Sequence, residues 1–208
     1  MRLAILGASG HGKVVADAAE QGGWPSVAFF DDAWPGLQAN GPWAVEGNTE
    51  ALLDRLMGFD GVIVAIGNNR TRAAKQAELL ASGGKMATII HPSAMVSAHA
   101  TVGAGSVIFA NAAVNACATV GAGVIVNTGA VVEHDCVVGD FAHISPNAVL
   151  AGGVALGSLV WVGSCASVKQ LIAIGEASVV GMGAVVIKDV APDVIVVGNP
   201  AKVFEPRN

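Results

Sequence analysis

Formal charge is almost absent from the second half of this 208-residue chain. Between Ile90 and Val186 only five residues are charged, and these are Glu133, Asp135, Asp140, Lys169 and Glu176. The whole chain carries a net charge of −5 and contains no basic stretch. Because nucleic acids are bound by clusters of lysine and arginine, the sequence argues against a nucleic-acid partner.

Long apolar runs and paired cysteines are also missing. Hydrophobic residues make up 53% of the chain, yet no uninterrupted apolar run reaches the roughly 18 residues of a membrane span. The stretch from Met1 to Leu6 is too short for the core of a signal peptide. Cys117, Cys136 and Cys165 are odd in number and lack CxxC spacing. We therefore expect reduced thiols, no membrane span and a cytoplasmic protein.

An aliphatic residue recurs at every sixth position from Ile90 to Val186 without interruption. The seventeen positions hold only Ile, Leu or Val, and the residue four places later is always Ala, Ser, Cys, Val or Ile. A period of six fits neither an α-helix nor an ordinary strand, and it is typical of a parallel β-helix of hexapeptide repeats. Three hexads to a turn predict about 5.7 turns and a prism about 27 Å tall, with the aliphatic residues inside.

The first part of the chain differs in composition, and we predict two domains, residues 1–86 and 87–208. In residues 1–86 strands alternate with helices, which indicates a small parallel α/β sheet. Strands are expected at 2–6, 27–30 and 62–66, and helices at 13–21, 49–57 and 70–81. Ligands of such sheets bind at the carboxyl ends of the strands. Here those ends carry Gly7–Gly12, Asp31-Asp32 and Gly67–Asn69.

The glycine-rich turn at 7–12 reads Gly-Ala-Ser-Gly-His-Gly and opens a helix, where free N–H groups suit a phosphate. Its spacing is not the G-x-G-x-x-G of dinucleotide-binding domains, and about 85 residues leave no room for their second half. These observations exclude a nicotinamide dehydrogenase. They leave open a nucleotide-sugar diphosphate, or a tight turn that needs glycine for its dihedral angles. Asp31 and Asp32 could accept hydrogen bonds from sugar hydroxyls or could merely end the strand.

Two of the five charges of the repeat region bracket one histidine. Glu133 and Asp135 flank His134 at hexad positions that point away from the core. A neutral histidine oriented by a carboxylate is suited to general-base catalysis, and a solvated turn is the alternative. His143 lies half a turn further on, so it could share a site with His134 only across a subunit interface. Cys136 occupies an inward position, which predicts a buried structural thiol and no covalent acyl-enzyme.

Over its full length the chain resembles the bacterial nucleotide-aminosugar acetyltransferases of the hexapeptide-repeat family. Within that family it resembles the UDP-4-amino-sugar N-acetyltransferases of the bacillosamine pathway, with sialic acid O-acetyltransferases and perosamine N-acetyltransferases as kin. The motifs that carry the resemblance are Gly-Ala-Ser-Gly-His-Gly at 7–12, Asp31-Asp32, Ala-Ile-Gly-Asn-Asn at 65–69, Glu-His-Asp-Cys at 133–136 and Val-Gly-Asn-Pro-Ala-Lys at 197–202.

The resemblance implies a Rossmann-like α/β domain followed by a left-handed parallel β-helix, assembled as a homotrimer. It implies acetyl-CoA in the groove between adjacent prisms, a UDP-amino sugar on the N-terminal domain and no metal. His134 would be the general base and Asp135 the acid that raises its basicity. Acetyl-CoA would be contacted by His143, Gly152, Ser164 and Met182. The nucleotide sugar would be held by Ser9, Gly10, His11, Asp31, Asp32 and Gly67. At the positions of Ser164 and Met182 the bacillosamine enzyme has Ile and Gly. The effect of this difference on acetyl-CoA binding is mild if the backbone makes those contacts.

Other functions of β-helices fit the sequence less well. A γ-type carbonic anhydrase binds zinc through three histidines, two of them five residues apart, whereas His91, His99, His134 and His143 are separated by 8, 35 and 9 residues. An ice-binding threonine ladder would begin at Thr101 and Thr119 but stops at Val137. O-acetylation of a sialic acid, or N-acetylation of GDP-perosamine, stays open because amine and hydroxyl acceptors need the same base.

Overall fold

The computed structural model describes residues 1–205, and the chain separates into two compact units. The first unit is Met1–Pro92 and the second begins at Ser93. The change in composition predicted the boundary after position 86, and the structure places it a few residues later.

The first unit contains a three-stranded parallel sheet with two helices following its first and third strands. Arg2–Leu6 is the central strand, with Ser26–Phe30 on one side and Gly61–Val64 on the other, so that Leu3 pairs with both Val27 and Gly61. The elements are β1 (Arg2–Leu6), α1 (Gly10–Gln21), β2 (Ser26–Phe30), β3 (Ala39–Asn40), β4 (Trp43–Ala44), α2 (Thr49–Arg55), a 3-10 turn (Leu56–Gly58), β5 (Gly61–Val64), α3 (Asn69–Ala81) and β6 (Ile89–Ile90). The alternation of strands and helices expected from the sequence is confirmed, with ends that shift by a few residues.

The close approach of α1 to this sheet explains one glycine of the 7–12 turn. A Cβ atom on Gly12 would lie 2.3 Å from the carbonyl oxygen of Gly7 and 2.9 Å from the Phe29 ring. Gly7 itself has a φ of +110°, a conformation that other residues rarely adopt. The glycines therefore bring the N-terminus of α1 directly to the carboxyl ends of β1 and β2, and this arrangement creates the cavity described below.

The second unit is a parallel β-helix of two-residue strands. The hexad aliphatic is the second residue of each strand from Met95–Val96 to Val185–Val186, and strands three apart pair in register, as Val132 does with Leu150. One sheet runs through β7 (Met95–Val96), β10 (Ala113–Val114), β13 (Val131–Val132), β16 (Val149–Leu150), β19 (Ser167–Val168) and β22 (Val185–Val186). A second runs through β8 (Thr101–Val102), β11 (Thr119–Val120), β14 (Val137–Val138), β17 (Ala155–Leu156) and β20 (Ala173–Ile174). A third includes β9 (Val107–Ile108), β12 (Ile125–Val126), β15 (His143–Ile144), β18 (Trp161–Val162), β21 (Val179–Val180), β23 (Ile195–Val197) and β24 (Lys202–Val203).

The hexad rule accounts for the core of the β-helix. Val132, Ile144 and Val162 are fully buried, and so are the small residues that follow them at the corners, such as Ala148 and Ala166. A strand of only two residues has little stability of its own, so the stack depends on this continuous apolar column and on the bonds between successive turns.

The corners of the prism adopt a left-handed backbone conformation. From position 111 to position 177, the residue three places after the aliphatic has a φ between 57° and 63° where it is not glycine, as at Asp135 and Leu171. This conformation strains most side chains and is tolerated best by glycine, asparagine and aspartate. Most of these corners are bonded to the preceding turn, as where the amide of Asp135 donates to the carbonyl of Ala116 over 3.1 Å.

No helix within residues 1–205 has the length and the apolar character needed to cross a membrane.

Candidate active site

The best candidate for a catalytic group is His134, at the corner between β13 and β14. Its carbonyl accepts a 2.9 Å hydrogen bond from the amide of Gly153 in the next turn, and its own amide donates to the Glu133 carboxylate over 3.3 Å. The neighbouring Asp135 bonds to the previous turn through Ala116. The backbone under the histidine is therefore held from both sides, although the side chains project outward.

The left-handed conformation of Asp135 lets its carboxylate turn back toward the histidine ring. Asp135 Oδ2 lies 2.8 Å from His134 Nδ1, and both side chains are about two thirds exposed. The hydrogen bond to Asp135, followed by the charges of Asp135 and Glu133, raises the pKa of His134 above its ordinary value. A carboxylate at Nδ1 favours the tautomer with its proton on that nitrogen, so that Nε2 can accept a proton.

The ring of His134 rests on Gly152, which occupies the same corner one turn further along. A Cβ atom on Gly152 would lie 2.6 Å from both Cε1 and Nε2 of the imidazole. The ring also opens onto a cleft of about 280 Å³ lined by His134, Asp135, Gly152, Gly153, Gln170 and Leu171. Of the residues that the resemblance assigned to acetyl-CoA, Gly152 lies at this cleft.

Leu171 and Gln170 line the cleft although the sequence analysis did not single them out. Leu171 is 79% exposed, with its Cδ2 atom packed over Gly153. The register of the hexads predicts this placement, because the strands that precede His134 and Gln170 belong to the same sheet and lie two turns apart.

The other residues expected to contact acetyl-CoA do not line this cleft. His143 lies on β15 in a different sheet, where its ring stacks on Trp161 with centroids 5.8 Å apart and its Nε2 lies 3.2 Å from the Asn127 amide. Ser164 and Met182 follow β18 and β21 of that same sheet, and Met182 is 80% exposed. The predicted separation of His134 and His143 within one chain is thus seen in the structure.

Cys136 lies directly beneath the His134 corner and is fully buried. Its Sγ donates to the carbonyl of Ala151 over 3.3 Å, and burial raises the pKa of the thiol. A thiol that is shielded and protonated is a poor nucleophile. The prediction of a structural thiol is consistent with this environment.

A second cavity, of about 260 Å³, lies within the first unit at the carboxyl ends of its strands. Its lining includes four of the residues expected to hold a nucleotide sugar, and the full set is Leu6, Gly7, Ser9, Asp31, Asp32, Ile66, Gly67 and Lys75. Ser9 is the N-cap residue of α1, yet its side chain makes no capping hydrogen bond. Ser9 therefore lines the cavity next to the N-terminus of α1, where the helix dipole favours an anion.

The two aspartates at this cavity have different environments. Asp31 uses both carboxylate oxygens for backbone amides, with Ala8 at 2.7 Å and Ala33 at 2.9 Å. Asp32 accepts a hydrogen bond from the amide of Thr49 at 2.9 Å, and its side chain is 61% exposed. Hydrogen bonding to Thr49 lowers the pKa of Asp32, with a smaller contribution from the charge of Lys75. Asp31 thus supports the loop, and Asp32 is the more accessible to a ligand.

Lys75 on α3 lines the cavity and was not anticipated. Its Nζ lies 3.2 Å from the Thr49 hydroxyl and 3.6 Å from Asp32 Oδ2. Nothing in the sequence distinguishes Lys75 from Arg70 or Arg72 on the same helix, so only the fold identifies it. Arg72 is instead buried, and it shapes the loop after β5 by donating to the carbonyls of Ile66 and Gly67.

Gly10 and His11 lie on the first turn of α1 but do not line the cavity. Burial, followed by the charge of Arg72, lowers the pKa of His11 to about 4, so its ring is neutral near pH 7. A role for His11 in holding the sugar nucleotide stays a prediction.

Similar proteins share both units of the chain. The PglD N-terminal domain family matches residues 2–79. The acetyltransferase domain of PglB from Neisseria gonorrhoeae FA1090 is 40% identical to this chain. Its uncomplexed structure matches with a TM-score of 0.91 over 98% of this chain and 99% of that one. The same domain was also solved in complex with acetyl coenzyme A. The chain belongs to the hexapeptide-repeat family of bacterial sugar acetyltransferases.

Two further relatives carry information about substrates. PerB from Caulobacter crescentus, solved with CoA and GDP-perosamine, is 36% identical with a TM-score of 0.94, and the match covers 99% of this chain and 98% of that one. The UDP-N-acetylbacillosamine N-acetyltransferase of Bacillus subtilis (strain 168) is 38% identical over 109 residues, which are 51% of this chain and about half the length of that curated relative.

The comparisons confirm the expected fold class for this acetyltransferase-family chain, an α/β unit followed by a left-handed parallel β-helix. The expected family is confirmed as well. Within residues 1–205, no group of three or more histidine, cysteine, aspartate or glutamate side chains is arranged to hold a metal ion.

Proposed function

We propose that the protein is an acetyl-CoA-dependent N-acetyltransferase that acts on the 4-amino group of a UDP-linked 4-amino-4,6-dideoxy sugar. The observation that carries the proposal is the His134–Asp135 pair, whose 2.8 Å contact engages Nδ1 and leaves Nε2 for proton transfer in a ring that lines a cleft. The names of the similar proteins support the donor and the reaction. The PglB acetyltransferase domain was solved with acetyl coenzyme A, the perosamine N-acetyltransferase of Caulobacter crescentus with CoA and GDP-perosamine, and the Bacillus subtilis relative is a UDP-N-acetylbacillosamine N-acetyltransferase.

His134 would act as the general base in a direct transfer. The sugar amine attacks the thioester carbonyl, and Nε2 of His134 accepts the proton that the amine loses as the C–N bond forms. Asp135 holds the Nδ1–H and stabilises the positive ring that results. The C–S bond then breaks, and His134 returns the proton to the departing thiolate. The backbone around Gly152, against which the ring lies, is the candidate donor to the oxyanion.

The cavity of the first unit would hold the nucleotide sugar. Ser9 and the N-terminal amides of α1 would receive the diphosphate, where the helix dipole favours negative charge. Asp32 and Gly67 would contact the sugar or ribose, while Asp31 keeps the loop in place. Lys75, which is tethered to Asp32 and Thr49, would add a positive charge near the phosphates. Gly10 and His11 would support this turn.

We further propose that the chain assembles as a homotrimer in the cytoplasm, with acetyl-CoA in the groove between adjacent prisms. His143, Ser164 and Met182 do not line the His134 cleft of their own chain. A neighbouring subunit would bring its own copies of these residues to the donor. Light scattering should then report three chains per particle, and a monomer that retains full activity would contradict the assembly.

The test of the reaction is thiol release from acetyl-CoA with three acceptors: a UDP-4-amino-4,6-dideoxy sugar, GDP-perosamine and free sialic acid. Rapid turnover on the UDP-amino sugar is expected, and His134→Asn should lower kcat by about 10²–10⁴-fold, the usual contribution of a general base. His99→Asn is the matched control. Turnover on sialic acid alone would replace the proposal by O-acetylation, and full activity of His134→Asn would remove the assigned base.

A further inference from the structure

Leu171 lies at a corner of the β-helix in a backbone conformation that large side chains disfavour. Its φ is +61°, in the left-handed region that glycine, asparagine and aspartate tolerate best. Two other large apolar residues share this conformation, Phe141 and Leu159, and both are half-buried. Leu171 is instead 79% exposed, so burial gives it little compensation for the strain. Strained residues concentrate at functional sites, and Leu171 lines the cleft of His134.

The His134 ring and the Leu171 side chain converge on two neighbouring glycines. The imidazole occupies the space of a side chain on Gly152, because a Cβ atom there would lie 2.6 Å from two ring atoms. Leu171 Cδ2 does the same at Gly153, where a Cβ atom would lie 2.7 Å away. His134 precedes Gly152 by one turn of the stack, whereas Leu171 follows Gly153 by one turn. The base and the leucine therefore form opposite walls of the cleft, with the backbone of the two glycines as its floor.

Backbone hydrogen bonds hold both walls in place. The carbonyl of His134 accepts a hydrogen bond of 2.9 Å from the amide of Gly153, and the carbonyl of Gly152 accepts one of 3.0 Å from the amide of Leu171. Successive turns are thus bonded through the residues that form the floor, so the stacking of the turns fixes the separation of the two walls. On the side of Leu171 the cleft can widen only if the leucine side chain rotates.

We infer that Leu171 determines the length of the acyl group that the enzyme transfers. The inference rests on the proposed function, because it takes an acyl-CoA thioester as the donor. For His134 Nε2 to accept the proton of the attacking amine, the thioester carbonyl must lie beside the ring and hence over the two glycines. The rest of the lining consists of histidine, aspartate, glutamine and glycine, so Leu171 is the apolar side chain against which the acyl methyl packs. Each further methylene would have to displace that side chain.

The test measures thiol release by the full chain from acetyl-CoA, propionyl-CoA and butyryl-CoA, with the UDP-amino sugar as acceptor. In the wild type, kcat/KM should fall by about tenfold or more from acetyl-CoA to propionyl-CoA, the usual effect of one extra methylene in a filled apolar pocket. Leu171→Ala should reduce this ratio to about threefold or less. Leu171→Met conserves the side-chain volume and should retain the discrimination. Leu80→Ala removes an exposed leucine of α3 and is the matched control, with the ratio of the wild type.

Calorimetric binding of the same thioesters separates this inference from the proposed function, and it decides if no acceptor is acetylated. Weaker binding of butyryl-CoA than of acetyl-CoA by the wild type, with the difference lost in Leu171→Ala, would then support the inference and refute the proposed function alone. Equal kcat/KM for the three donors in an active wild type, or a ratio unchanged in Leu171→Ala, would overturn the inference and keep the function. A smaller particle for Leu171→Ala in light scattering would assign the side chain to a subunit contact and overturn the inference. A wild type that binds none of the thioesters would overturn both.

Discussion

Gly152 lies one turn of the β-helix beyond His134, and its missing side chain provides the space in which the imidazole rests. A methyl group there would approach two ring atoms to 2.6 Å, well inside van der Waals contact. The ring could avoid this contact only by rotating, which would break the 2.8 Å contact with Asp135. Gly152 is therefore a positioning residue for the base, in addition to any backbone contact with the donor.

Gly152→Ala should consequently lower kcat without unfolding the protein. A displaced base commonly costs about 10²-fold in rate, and we expect a loss of that order with acetyl-CoA and the UDP-amino sugar. Steady-state kinetics with a thermal melt would measure it. Gly58→Ala, at a glycine with open space around it, is the control. A near-normal kcat for Gly152→Ala would show that the His134 ring can move away from the added methyl group and still act as the base.

The pH dependence of the rate should follow His134. Its pKa is raised by the Asp135 hydrogen bond, so the neutral, basic form is lost at a higher pH than in an ordinary histidine as the pH falls. Activity should therefore decline on the acidic side at a higher pH than for an ordinary histidine.

In Asp135→Asn the carboxylate charge and its charge-assisted hydrogen bond, which raise this pKa, are gone, so the acidic limb of kcat/KM should move to lower pH. The plateau should also fall, because the tautomer is no longer held. Glu176→Gln removes a charge elsewhere on the β-helix and should leave the profile in place. An acidic limb that does not move in Asp135→Asn would show that another group titrates.

The hexad pattern shows how far sequence alone could reach. Ile, Leu or Val at one position and a small residue four places later predicted the strands and the buried core, because a narrow prism admits few other side chains. The same pattern predicted the buried Cys136 and the outward His134. These are properties of local spacing, which a single sequence contains.

What the sequence could not provide is proximity between distant positions. Lys75 reaches Asp32 only because α3 packs beside β5, and Leu171 reaches the cleft only through the stacking of turns. Asp31 and Asp32 are adjacent and identical in type, yet their hydrogen-bond partners differ. The role of Gly152 depends on a contact of 2.6 Å, which the register suggests but does not establish.

The three cysteines should differ in reactivity. Cys117 and Cys165 are exposed and Cys136 is buried, so a disulfide-exchange reagent should titrate two thiols in the folded protein and three in denaturant. Cys136→Ala should retain acetyl transfer while lowering the free energy of unfolding by about 1–2 kcal/mol, because a small cavity replaces the thiol. Loss of transfer in a folded Cys136→Ala would instead indicate a covalent acyl-enzyme.

The adjacent aspartates of the first unit offer a matched pair of isosteric changes. Asp31→Asn cannot accept both amide hydrogen bonds, from Ala8 and Ala33, so the free energy of unfolding should fall by about 1–3 kcal/mol. Asp32→Asn keeps an oxygen for the amide of Thr49 and is largely exposed, so its stability should change by less than about 0.5 kcal/mol. If Asp32 binds the acceptor, that variant should raise KM for the UDP-amino sugar by about tenfold with little change for acetyl-CoA. Denaturant unfolding and steady-state kinetics on both variants decide between the roles, and an unchanged KM in Asp32→Asn would mean that this residue only ends the strand.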